Sequence, residues 1–192
     1  MNWKSVALID MPASPWRNGG GVTRELTVWP AQGEWQWRMS VAEVQADGPF
    51  SNFAGVKRWF AVLSGEGVRL RLGAQAPYEE HALTTDSAPF CFDGALPVDC
   101  TLIDGATQDF NLMLRADHAR AQMQRIFGSL QTVGNSPCTV AVWSGDAGAT
   151  LWLGQECTHV SPHTLAWQAL PAKAMLKVLA SNALLMEIDL CP

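Results

Sequence analysis

The chain has 192 residues, 48% of them hydrophobic, which is enough to bury the core of one large domain or two small ones. Its formal net charge of −5 and the lack of any Lys/Arg run argue against nucleic-acid binding. No window approaches the roughly 20 apolar residues that a membrane span requires. The first 15 residues lack the apolar segment of a signal peptide, and the five cysteines include no CxxC pair, so we expect a cytoplasmic protein with reduced thiols.

Short segments with strand character follow one another along the chain, each bounded by Gly, Pro, Asn or Asp. In chain order they are TRELTVWP, EWQWRMSVAEV, VKRWFAVLSGEGVRLRLG, PFCFDG, VDCTLIDG, DFNLMLR, CTVAVWSGD, ATLWLG, HTLAWQAL and NALLMEIDL. The turn Ser64–Gly67 between two alternating runs predicts a β-hairpin. Turn signals at this regular spacing favour an all-β barrel or sandwich.

One segment near the middle of the chain has a different pattern. Residues 117–127 (DHARAQMQRIF) have helical spacing, and Asp117 is placed as a cap. We therefore expect two β units with a short helical segment between or beside them. The expected boundaries are about 20–115 for the first unit, 116–128 for the helical linker and 136–192 for the second unit, to which an N-terminal strand could add.

Three consecutive glycines, Gly19 to Gly21, stand in PWRNGGGVTREL between an aromatic, polar lead-in and a strand. Glycine runs serve a tight turn, the close approach of another main chain, or ligand binding by backbone N–H groups. This run lacks the Lys-Ser/Thr ending of a P-loop and enters a strand, so phosphate binding is not expected. Two interpretations stay open: a bulge or close-packed crossing, and a ligand-facing loop with Trp16 and Asn18.

Alternation along the strands groups several polar side chains on faces that could meet inside a barrel. Arg38 shares a face with Ser40, Arg58 shares one with Phe60 and Val62, and Asn111 shares one with Asp109. A guanidinium cannot lose its proton, so burying one unpaired costs several kcal/mol. An Arg that points inward therefore needs a carboxylate, either from a ligand or from the protein. The other interpretation is that the arginines face solvent. The protein candidates are Glu25, Glu43 and Asp109.

These segments together resemble the HutD/Ves family of bacterial cupin-like proteins. In the family's order they are PWRNGGGVTREL, WRMSVAEV, GPFSNFAGVKRW, LSGEGVRLRL and VDCTLIDGATQDFNLM. The resemblance is dense from Asn2 to about Phe127 and loose over the last third. It implies an all-β bicupin, with two small antiparallel β-barrels (RmlC-like cupin jelly rolls) in one HutD/Ves-type domain over 1–192. It also implies a link to histidine utilisation or, in the Ves branch, to stress response.

The resemblance also bears on metal binding. Metal-binding cupins place His and Glu ligands at fixed offsets from the Gly of a GEG-type turn. Counted back from Gly65, the Glu position falls on Arg58, and the paired His positions fall near residues 51–54. No histidine occurs between Thr23 and Glu80. The family comparison thus implies a first barrel with no metal and no cofactor, where a cation in place of a carboxylate favours an anionic ligand.

We therefore expect a ligand site at the mouth of the first barrel, with the glycine-rich loop lying across it. Arg38 and Arg58 would bind a carboxylate, and Trp16 would form a wall of the pocket. Arg17 is left out because the family commonly has Lys there. The predicted ligand-binding residues are Trp16, Asn18, Gly19, Gly20, Thr23, Glu25, Arg38, Ser40, Arg58 and Asn111; no catalytic residue is assigned.

The function expected from these residues is metal-free binding of a small organic carboxylate by a sensor or regulator. The resemblance suggests urocanate or N-formylglutamate, and the sequence does not choose between them. A metal-independent isomerase- or lyase-like enzyme ranks second, because the first barrel offers only Glu25 and Glu43 as acid/base candidates. A protein-interaction module is the third interpretation, and a homodimer is left open.

Overall fold

The computed structural model describes residues 3–191, and within them the chain is almost entirely β. One 3-10 turn spans Leu8–Asp10, and no α-helix occurs in this range. No helix there is long and apolar enough to cross a membrane. The strands are β1 (Lys4–Ala7), β2 (Ser14–Pro15), β3 (Gly21–Trp29), β4 (Trp37–Val44), β5 (Gly48–Pro49), β6 (Val56–Ser64), β7 (Val68–Leu72), β8 (Glu79–Leu83), β9 (Phe90–Asp93), β10 (Val98–Leu102), β11 (Thr107–Arg115), β12 (Ala119–Val133), β13 (Cys138–Ser144), β14 (Ala149–Leu153), β15 (Glu156–Val160), β16 (Thr164–Leu170) and β17 (Met175–Leu190).

The chain forms two compact units, residues 12–117 and residues 3–11 together with 118–191. In the first unit one antiparallel sheet has the strand order β2-β3-β4-β11-β6-β9, and another has the order β5-β10-β7-β8. Alternating residues of both sheets point into a shared core, which explains the period of two in the sequence. Core residues of this unit include Val44, Phe60, Val62, Val68, Leu70, Leu72, Phe92 and Cys100.

The second unit is a single curled sheet with the order β1-β16-β13-β17-β14-β15, and β12 also pairs with β17. Strand β17 is 16 residues long, and its first half pairs with β14 while its second half pairs with β13. The N-terminal strand β1 adds to this unit, because Lys4 lies opposite Trp167 of β16. Its core includes Ile126, Val140, Val142, Leu151, Ala166, Leu170, Leu176, Val178 and Leu185.

The predicted helix over residues 117–127 is wrong, because this segment belongs largely to strand β12. The buried residues Ala119, Met123 and Ile126 are spaced by four and three, which mimics a helix face. In the structure Ala121 between them is half-buried, and a register shift against β17 follows Ile126. Pairing with the long strand β17 therefore overrides the local pattern.

The predicted hairpin at Ser64–Gly67 is also wrong. Strand β6 pairs with β9 and β11, whereas β7 pairs with β8 and β10, so the turn carries the chain from one sheet to the other. Gly67 has a φ of +111°, and a Cβ there would collide with the carbonyl oxygen of Leu83. Glycine is needed at residue 67 because the main chain has a positive φ and lies against the end of the neighbouring strand β8.

Candidate functional site

A cavity of about 770 Å³ opens in the first unit. Its walls come from strands β3, β4, β6 and β11, from the turn between β2 and β3, and from residues 49–53. On β4 the alternate residues Arg38, Ser40 and Ala42 all line it, as strand parity predicts. The cavity therefore draws on the inner face of the larger sheet.

Arg58 of β6 is the most deeply buried charged side chain lining this cavity, with 6% exposure. Its Nη2 donates a hydrogen bond of 2.9 Å to Oδ1 of Asn111, and its Nη1 donates to the carbonyl of Ser51 at 3.4 Å. Its Nε has no hydrogen-bond partner within residues 3–191, and no carboxylate in that range pairs with it. Burial and then the nearby Arg38 lower the pKa of Arg58 to about 10, so it stays charged at neutral pH.

Aromatic rings surround the guanidinium of Arg58. Its Cζ lies 5.2 Å from the ring centroid of Phe50, 5.8 Å from that of Phe53 and 5.1 Å from that of Phe92. Cation–π attraction offsets part of the lost hydration but supplies no counter-charge. The arrangement is a desolvated cation whose charge is not neutralised by the described part of the chain.

Arg38 lies in a different environment. Its Nη1 is 3.7 Å from Oε2 of Glu25, and its Nε donates to Sδ of Met113 at 3.4 Å. The rings of Trp35 and Phe53 each lie 5.6 Å from its Cζ. The structure thus separates the two arginines, because Arg38 has a protein carboxylate beside it and Arg58 has none among the described residues.

The lead-in to the glycine run forms one wall of the cavity. Nε1 of Trp16 donates a hydrogen bond of 2.8 Å to Oγ1 of Thr23, and its ring meets that of Phe50 edge-on at 6.4 Å. Oδ1 of Asn18 accepts a hydrogen bond from the backbone of Gly20 at 3.1 Å. These contacts hold the aromatic ring of Trp16 against the mouth of the cavity.

The glycines themselves serve a close-packed crossing. A Cβ at Gly21 would collide with the carbonyl oxygen of Glu43 on β4, and Gly19 has a φ of +73°. The carbonyl of Gly20 accepts a hydrogen bond of 2.8 Å from the backbone of Gln45. The glycines let this turn lie flat on β4, which brings the preceding side chains to the cavity.

The structure brings eight of the ten predicted residues together, whereas Gly19 and Gly20 do not line the cavity. That the eight bind a ligand stays a prediction. Sequence reasoning missed other lining residues. The segment GPFSNF before β6 and the alternation of side chains along β6 and β11 could have indicated them. The eight are Trp16, Asn18, Thr23, Glu25, Arg38, Ser40, Arg58 and Asn111, and the missed ones include Phe50, Ser51, Phe53, Phe60 and Met113. Arg17, which the sequence analysis left out of the site, also lines the cavity.

The lining of the cavity, as the described residues form it, does not fit a metal ion. Within residues 3–191 no group of three or more His, Cys, Asp or Glu side chains is placed to hold one. At the position that the resemblance aligns with a cupin glutamate, the buried cation of Arg58 would repel a metal.

Known structures share this architecture. HutD from Pseudomonas fluorescens SBW25 (formate condition) is similar with a TM-score of 0.84 and 28% identity, covering 100% of both chains. A Bacillus subtilis oxalate decarboxylase has a TM-score of 0.63 at 8% identity, over 96% of this chain and 76% of its own, and shows the fold alone. The predicted fold class is confirmed: the chain is a bicupin, with two small antiparallel β-barrels.

Sequence relatives define the family more closely. The HutD family model matches residues 9–186. Protein Ves of Citrobacter koseri is 36% identical over 161 residues, 81% of this chain and 82% of that protein. An uncharacterised 21.2 kDa protein in the hutC 3' region of Pseudomonas putida is 39% identical over 132 residues, 65% of this chain and 67% of its own. The chain belongs to the HutD family. The names of its relatives support a relation of this family to histidine utilisation.

Proposed function

We propose that the first unit binds a small organic carboxylate, and that the protein is a metal-free sensor or regulator in histidine utilisation. The observation that carries the proposal is the charged guanidinium of Arg58, 6% exposed and without a carboxylate partner among residues 3–191. Breaking a buried ion pair costs roughly 3–5 kcal/mol, so a ligand that completes one is favoured by a similar term. The planar fork of Arg suits a carboxylate.

Neighbouring polar groups favour an anion over a cation. Oδ1 of Asn111 is occupied by Arg58, so its Nδ2 is left as a donor. Oγ1 of Thr23 accepts from Trp16, so its hydroxyl hydrogen is left to donate. The hydroxyl of Ser40 lies opposite Asn111 on the adjacent strand. A carboxylate near Arg58 would thus meet several donors.

The regulatory part of the proposal is supported by family membership. The Pseudomonas putida relative is named for its position in the hutC 3' region, and the matching family is HutD. Urocanate and N-formylglutamate are the candidate ligands that the family suggests. A sensor would release its ligand unchanged, which separates it from the isomerase- or lyase-like alternative.

The test is thermal unfolding of the wild type, Arg58→Met and the control Arg71→Met, whose guanidinium pairs with Asp99 on the surface. Formate, urocanate, N-formylglutamate and histidine are added as sodium salts at equal ionic strength. A ligand at 100 times its Kd should stabilise the fold by about 2.7 kcal/mol. We expect one carboxylate to raise the Tm of the wild type and of Arg71→Met but not that of folded Arg58→Met.

Two results would overturn this function. One is no shift of the wild type with any carboxylate, and the other is an equal shift in Arg58→Met. Chromatography of the ligand after long incubation gives the second readout, since recovery unchanged supports a sensor and conversion supports the enzyme alternative.

A further inference from the structure

The interior of the second unit contains a polar side chain with no hydrogen-bond partner in the described part of the chain. Gln168 of β16 is 7% exposed, and neither its Nε2 nor its Oε1 has a hydrogen-bond partner within residues 3–191. Its neighbours along the same face are the core residues Ala166 and Leu170. An unsatisfied buried amide destabilises a fold, so its presence here calls for a group that hydrogen-bonds to it, and its Oε1 is free to accept from a donor.

A carboxylate lies on the same face of the sheet as Gln168, two strands away. Gln168 is opposite Val140 of β13, and Val140 is opposite Glu187 of β17. Directly opposite residues share a face, and Val140 is in the core, so Gln168 and Glu187 both face inward. With strands about 4.8 Å apart, their Cα atoms are about 10 Å apart on either side of Val140, so a group that meets both side chains lies over Val140.

Negative charge gathers at this end of the unit. Oε1 of Glu187 accepts a hydrogen bond of 2.8 Å from Oγ1 of Thr132, and Asp189 accepts one of 3.0 Å from Ser136. Burial, and then Asp189 and Glu187, raise the pKa of the Cys138 thiol. Within residues 3–191 no Lys, Arg or His forms an ion pair with either carboxylate.

An aromatic side chain completes the group. Trp3 is half-buried and packs against the core cluster of this unit. Lys4 lies opposite Trp167, so continuing that register by one residue places Trp3 beside Gln168. An indole face, an amide that can accept and a carboxylate are together suited to a cation that carries N–H donors.

We propose that this end of the second unit binds a small organic cation bearing N–H groups, of the ammonium, amidinium or imidazolium class. Its N–H groups donate to Oε1 of Gln168 and to Glu187, and its charge lies against the ring of Trp3. This site is independent of the carboxylate site proposed for the first unit and has the opposite charge preference.

The experiment is thermal unfolding with ethylammonium, acetamidinium and imidazolium chlorides against sodium chloride at equal ionic strength. Tetramethylammonium chloride tests the requirement for N–H donors. We expect at least one N–H cation to raise the Tm by about 5 °C at 100 times its Kd, and tetramethylammonium to give no shift. Gln168→Met should lose the shift and melt higher than the wild type without ligand, because the unsatisfied amide is gone.

Glu187→Gln is the second variant, since it keeps an oxygen for Thr132 and removes only the charge. Its affinity for the same cation should fall at least tenfold, while Asp146→Asn, an exposed carboxylate of the same unit, should bind as the wild type does. The proposal is overturned if no N–H cation shifts the wild type, if tetramethylammonium shifts it equally, or if both site variants keep the full response. Arg58→Met should retain the cation response, which separates this result from that of the carboxylate site.

Discussion

Arg58 and Asn111 are joined across adjacent strands by a 2.9 Å hydrogen bond from Nη2 of the guanidinium to Oδ1 of the amide. An amide oxygen accepts this bond without neutralising the charge. The contact therefore orients the guanidinium and leaves its positive charge without a counter-charge among residues 3–191. The nearest alternative, an aspartate at the same place, would form a closed ion pair.

Asn111→Asp should convert the site into such a pair. We expect the free energy of unfolding to rise by about 1–3 kcal/mol, as for a charged hydrogen bond, and carboxylate affinity to fall more than tenfold. Urea unfolding and ligand titration measure the two effects. Asn182→Asp is the matched control, because Asn182 accepts an equivalent 2.9 Å bond from Arg125 in the second unit. Undiminished carboxylate binding by Asn111→Asp would contradict the proposed site.

Glu25→Gln should strengthen carboxylate binding. Glu25 lies 3.7 Å from Arg38, so removing the charge of Glu25 leaves Arg38 free to attract an anion. The effect should be modest, because the side chain of Glu25 is 51% exposed and solvent screens its charge. We expect a gain of about two- to fivefold, reduced at high salt. Titration at two ionic strengths measures it, with Glu43→Gln, which pairs with Arg24, as the control. A loss of affinity would mean that Glu25 itself contacts the ligand, and a loss of turnover would support the enzyme alternative.

Asp109 should make stability depend on pH. It is fully buried, and Oγ1 of Thr107 donates to its Oδ2 at 2.7 Å. Burial raises its pKa to about 7, against the opposite effect of the Thr107 hydrogen bond. Between pH 4 and 7 the folded state holds a proton that the unfolded state has released, so stability is complete below about pH 4 and falls as the pH rises. The loss is roughly 1.4 kcal/mol per pH unit and about 4 kcal/mol in all.

Asp109→Asn removes this titration. Urea unfolding from pH 4.5 to 7.5 should show the variant gaining on the wild type by roughly 1.4 kcal/mol per pH unit up to about pH 7. Asp99→Asn, a surface carboxylate paired with Arg71, should run parallel to the wild type. Parallel profiles for Asp109→Asn and the wild type would show that Asp109 ionises alike in both states.

Gly21→Ala should destabilise the first unit by about 1–3 kcal/mol, because the new methyl group would overlap the carbonyl of Glu43 on β4. Gly20→Ala is the control, since its methyl group would meet only the side chain of Asn18, at 3.5 Å. Chemical denaturation of both variants measures the difference. Equal effects would mean that the turn adjusts, and that the close crossing on β4 does not require glycine.

The sequence by itself determined the features that depend on local backbone geometry. Alternation with a period of two predicted the strands, and it placed Arg38 with Ser40 and Arg58 with Phe60 on faces that the structure turns toward one cavity. This alternation follows from a strand's own pleat and needs no knowledge of its partner. The glycine run was also visible in the sequence, but only the structure shows that it crosses β4 closely at Glu43.

Only the tertiary structure decided the features that depend on which strands pair. Residues 119–133 become a strand because β17 offers a partner along their length, and Ser64–Gly67 joins two sheets because β6 and β7 pair elsewhere. The same holds for charge. Parity along one strand could not tell that Glu25 lies beside Arg38, or that Arg58 donates to the amide of Asn111 and to the carbonyl of Ser51, since each contact joins different segments of the chain. A buried cation is defined by what lies around it in space, and spacing along one strand does not contain that information.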